Sequence, residues 1–73
     1  MSNQPLSDEE IADIRTTLQE LQVEHRDLDQ VIAHLIASPP PDELLVRRMK
    51  KRKLLLKDRI LQLEQMLVPD IPA

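Results

Sequence analysis

His25 and Asp29 stand four residues apart in the stretch EHRDLDQVIAHL (24–35). That spacing puts both side chains on one face of a helix, where an imidazole and a carboxylate could share a metal ion or relay a proton. Lys53, a lysine set beside three leucines in MKKRKLLLKDRI (49–60), is the other group with chemical potential. Neither grows into a reactive site. A metal centre needs three or four convergent ligands, and the second histidine, His34, lies nine positions beyond the first on a different face. Ser7, Thr16, Thr17 and Ser38 show no arrangement of nucleophile, base and orienting group. The chain has no cysteine, which removes disulfides and thiolate ligands, and no glycine, which removes glycine-rich phosphate loops. We therefore expect no enzyme, no metal and no cofactor.

A second possible chemistry is ionic. Segment 47–59 carries Arg47, Arg48, Lys50, Lys51, Arg52, Lys53, Lys57 and Arg59 against only Asp58. Arg48, Lys50, Lys51 and Lys57 cannot all face a helical seam and could meet phosphates, so a weak nucleic-acid-binding or ribosome-associated role is one reading. Against it stand a net charge of −3 and the absence of any Phe, Tyr or Trp on which bases could stack.

Two helices must position these groups. Ser7 followed by Glu10 is the capping-box spacing, with Asp8 and Glu9 at the favourable end of the helix dipole. From there Ile11, Ile14, Leu18, Leu21, Leu28, Ile32 and Leu35 recur at alternating intervals of three and four, with His25 at the one vacancy. Three prolines in SPPPDE stop the pattern, and Pro41 can occupy the first turn of a new helix beside Asp42 and Glu43. The second stripe runs Val46, Met49, Lys53, Leu56, Ile60, Leu63 and Leu67, until Pro69 and Pro72 end it. The expected layout is an N-terminal stretch 1–7 that is disordered up to the cap and a single hairpin domain 8–68. Within the domain lie a helix 8–37, a proline-rich turn 38–41 and a helix 42–68, and a loose tail 69–73 follows. The fold class is all-α, an antiparallel two-helix hairpin of coiled-coil type that associates into a larger bundle.

In such a hairpin residue i lies opposite a residue numbered about 79 − i. The acidic residues Glu20, Glu24, Asp27 and Asp29 then flank the basic segment and answer it internally. His25 and Lys53 fall in one layer of the seam, where a polar residue fixes register at some cost in stability. The Lys53 stem can lie along the seam while its ammonium reaches Asp27 or Asp29.

Apolar residues remain after both seams are filled. Val23, Val31 and Ile36 lie off the first stripe, and Leu45, Leu54, Leu55, Leu61 and Met66 off the second. Leu54 and Leu61, seven apart, form a second line on the second helix. Exposed apolar surface of this kind marks an association face, which we assign to Leu45, Leu54, Leu55 and Leu61. The expected partner is a second copy of the chain or, failing that, a helix of another protein. Apolar runs are no longer than triplets such as Leu54–Leu56, so no membrane span and no signal peptide is expected, and a cytoplasmic protein is.

The two quoted segments and the proline-rich turn between them resemble the YdcH-like family of small bacterial proteins of unknown function. The likeness rests on His25, Leu28, Asp29 and Ile32, then Lys50, Lys53, Leu54, Leu56, Lys57 and Asp58, over roughly residues 20–65. Leu55 departs from it, standing where members often carry a polar residue. The resemblance implies a bacterial, cytoplasmic helical hairpin, and it raises a polar layer of His25, Asp29, Lys53 and Asp58. It implies no activity or catalytic residue.

Overall fold

In a computed structural model of the chain, residues 5–67 are described. What was expected of residues 1–4 and 68–73, including the last residue of the second helix and the C-terminal tail, lies outside them. Helix α1 spans Asp8–Ala37 and helix α2 spans Glu43–Leu67, and the two pack against each other as an antiparallel hairpin. At 1.5 Å per residue they are about 45 and 37 Å long.

Local chemistry sets the helix ends. Ser7 is extended and caps α1: its hydroxyl accepts the Glu10 N–H at 3.1 Å, while the Glu10 carboxylate accepts the Ser7 N–H at 3.0 Å. Two of the four otherwise unpartnered donors of the first turn and its flank are satisfied this way. The hydrogen bond from the Ser7 backbone also holds the Glu10 carboxyl below the usual carboxylate range. At the other end, the Ser38 N–H donates to the His34 carbonyl at 3.1 Å, and the prolines that follow have no N–H to carry the helix on.

The start of α2 corrects the expectation from sequence. Pro41 is not in the first turn; it precedes Asp42, which acts as the N-cap. The Asp42 carboxylate accepts the Leu45 N–H at 3.0 Å, and its carbonyl accepts the Val46 N–H at 2.9 Å. An aspartate outside the helix satisfies an orphan donor that it could not reach from within.

Both stripes face each other as their spacing requires. Leu28 and Ile32 of α1 are buried, as are Val46, Ile60 and Leu63 of α2, and the remaining seam residues are half-buried. The core is thin: among the described residues none has a side chain less than 2 % exposed, and the best-buried, Ile60, is 3 % exposed. Two packed helices can enclose only one row of side chains, so every seam residue keeps an edge to water.

Candidate functional site

The polar layer forms around Lys53. It is half-buried within the seam, and its ammonium makes an ion pair with Asp29 rather than Asp27. His25, also half-buried, lies in the same part of the hairpin and lines an open groove with Asp29, Lys57 and Ile60. The hydrogen bond from Lys53 is the main reason the Asp29 carboxyl titrates below its usual range. Desolvation opposes it as the next-largest effect, and the charges of Lys53 and then His25 lower it further. A second ion pair closes the opposite flank of the seam, Arg52 Nη2 to Glu24 Oε1 at 3.1 Å. The residue numbers of the two pairs sum to 76 and 82, which straddles the register expected for the hairpin.

The structure brings together three of the four residues of the expected layer. Asp58 is the exception: it is exposed and, among the described residues, takes part in no ion pair. It lies five residues beyond Lys53, about 500° around the helix at 3.6 residues per turn, which turns it away from α1. Nor is the basic segment answered in full. Only Arg52 and Lys53 have acidic partners among the described residues. Arg48, Lys50, Lys51 and Lys57 are exposed and unpaired there, as are Glu20 and Asp27. Long side chains on a wet surface gain little from pairing, so only those held close by the seam do so.

The Thr16 hydroxyl is committed to the Ala12 carbonyl at 3.0 Å, and no three His, Asp or Glu side chains converge among the described residues. The concavities are open grooves. One, near the turn, is lined by Ile36, Pro41, Val46 and Lys50; another runs over Arg48, Met49, Arg52 and Leu55.

The leucines off the seam divide. Leu54 and Leu55 are 66 % and 62 % exposed, and Leu61 is also exposed. Leu45, expected beside them, is half-buried against the hairpin. Its neighbour Leu44 is the exposed one, and sequence reasoning passed over it. The signal was available: Leu44 precedes Leu55 by eleven residues, about three helical turns, so the two share the outer face.

The family model described as a protein of unknown function, DUF465, matches residues 18–64. That span runs from the middle of α1 through the turn to the last turn of α2, and it contains the polar layer and the exposed leucines. The chain belongs to this DUF465 family. The YdcH-like resemblance is consistent with that membership. Neither a curated protein nor a solved structure matches the chain. Membership in DUF465 supplies no activity, and the reading of the site rests on the hairpin's own surface. No helix among the described residues is long and apolar enough to cross a membrane.

Proposed function

We propose that the hairpin is a non-catalytic protein–protein interaction module or small adaptor that associates with itself through the leucines of α2. The observation that carries this reading is the exposure of Leu54, Leu55 and Leu61 on a helix whose seam is already occupied. Leaving three leucines of one helix in water, beside a core this thin, is unfavourable unless another helix covers them. The lack of cysteine suits a reducing compartment such as the cytoplasm.

The test is the native mass of the untagged protein, followed by refractive index because the chain has no Trp, Tyr or Cys to absorb at 280 nm. A whole multiple of 8.5 kDa is expected, falling to the single-chain mass in a Leu54→Gln, Leu55→Gln, Leu61→Gln variant. A monomeric wild type sinks the reading.

One observation favours a second reading, a nucleic-acid contact: Arg48, Lys50, Lys51 and Lys57 are exposed and unpaired among the described residues. Phosphate contacts release counterions, so binding of a generic RNA or duplex DNA should weaken steeply as salt rises. Absence of binding at low salt eliminates this reading.

A further inference from the structure

Four of the charges left unpaired within the described hairpin, Glu20 and Asp27 on α1 and Arg48 and Arg59 on α2, fall on one flank of it and match each other. Glu24 and Arg52 pair across one edge of the seam and so identify a common side of the molecule. On α1, Glu20, Glu24, Asp27 and Val31 follow at intervals of four, three and four and form one stripe on that side. On α2, Arg48, Arg52, Leu55 and Arg59 do the same. Each stripe is a second helical seam, beside the one that closes the hairpin. One is acidic and ends on a valine 44 % exposed; the other is basic around a leucine 62 % exposed. Glu20, Asp27 and Arg48 have no ion-pair partner among the described residues, and Arg59 reaches only Gln62 of its own helix, at 3.4 Å.

We infer that the occupant of this flank is a second copy of the chain, related by a two-fold axis parallel to the helices, with α1 of each copy laid on α2 of the other. The inference rests on the self-association proposed above and narrows it to the flank that carries Leu55; Leu54 and Leu61 lie about 100° around α2 and stay outside this contact. Rotation about such an axis leaves heights along the helices unchanged, so the register within the hairpin is also the register between copies. Glu20 then meets Arg59 of the second copy, Asp27 meets Arg52, Glu24 meets Leu55, and Val31 meets Arg48. The four helices alternate acidic and basic around the bundle, so each touches only helices of opposite sign. The alternative two-fold, perpendicular to the helices, would set α1 on α1 and α2 on α2 and oppose like charges, which is unfavourable. The other flank, where α2 carries Leu54 and Leu61, offers a poorer electrostatic match: there α1 presents Arg15 and Arg26 against Lys50 and Lys57, and its Asp29 is already taken by Lys53.

Charge reversal tests the contact. Two variants are made in the full chain, one with Glu20→Arg and Asp27→Arg, the other with Arg48→Glu and Arg59→Glu; none of the four residues makes an ion pair within the described hairpin. Circular dichroism confirms that each remains helical, and native mass is the readout. Wild type is expected at twice 8.5 kDa, each variant alone at the single-chain mass, and an equimolar mixture of the two again at twice that mass. Restoration follows because, in the mixed pair, reversed α1 lies on reversed α2 while the unaltered helices lie on each other. Variants that keep the wild-type mass, a mixture that stays monomeric, or a wild type larger than two copies each overturn the inference. If the leucine substitutions dissociate the protein and the charge reversals do not, self-association stands and this geometry falls. A monomeric wild type removes both.

Discussion

Lys53 and Asp29 show how a polar residue is accommodated in a seam of aliphatic ones. The lysine stem stays between the helices, and the ammonium leaves sideways to a carboxylate one turn beyond His25. Because the pair holds the Asp29 carboxyl below its usual range, it stabilises the fold in full above the ordinary aspartate value of about 4. That contribution is lost as the pH falls through the lowered value, when the folded carboxylate takes up its proton. Glu10, held down by Ser7, adds a contribution of the same sign. The melting temperature should therefore fall as pH is lowered through this range. Asp29→Asn should melt below wild type at pH 7 and converge with it in acid. Parallel curves for the two proteins over the whole range would show that the pair contributes nothing to stability.

Among the helical elements, the cap of α2 differs most from what its sequence suggested. A proline followed by two acidic residues reads equally well as the first turn of a helix or as the approach to one. Only the hydrogen bond from Leu45 to the Asp42 carboxylate decides between them. Asp42→Ala should cost about 1 kcal/mol, typical of a lost N-cap, or about 4–8 °C in a domain of this size, whereas Asp42→Ser should retain most of it. Thermal melts followed at 222 nm would separate these outcomes; equal losses in the two variants would mean the cap contributes little. The stripes themselves were legible because alternating three and four spacing has no other economical reading, and prolines mark where they end. The half-burial of Leu45 was not, since residues in the first turn of a helix lie near the turn and their burial depends on how the chain enters it. A pattern counted along the helix does not contain that angle.

At the scale of the whole molecule, the thin core is the governing fact. A single row of buried side chains supports a fold of modest stability, and any assembly that covers Leu54, Leu55 and their neighbours adds to it by mass action. The melting temperature should consequently rise with protein concentration over a hundredfold range. A temperature independent of concentration would mean that the hairpin is stable alone. Sequence revealed that the helices carry opposite charge and that leucines were in surplus, but not how the charges distribute. The sequence reads the basic segment as a mostly paired and solvated face, and in the described hairpin only the two residues nearest the seam pair with acids. Which acids and bases remain available outside depends on the rotation of each helix about its axis, and the observed pairs fix that rotation.

The segregation of charge between the helices has an electrical consequence. Acidic α1 and basic α2 lie side by side, so a lone hairpin carries a permanent moment directed across its width, far larger than its net charge of −3 suggests. Such a molecule should orient in a field and be retained by both anion- and cation-exchange resins at neutral pH. Two hairpins related by a rotation about the helix direction have transverse moments that point opposite ways and cancel. Assembly would therefore extinguish the dielectric signal of the single chain, and dilution would bring it back.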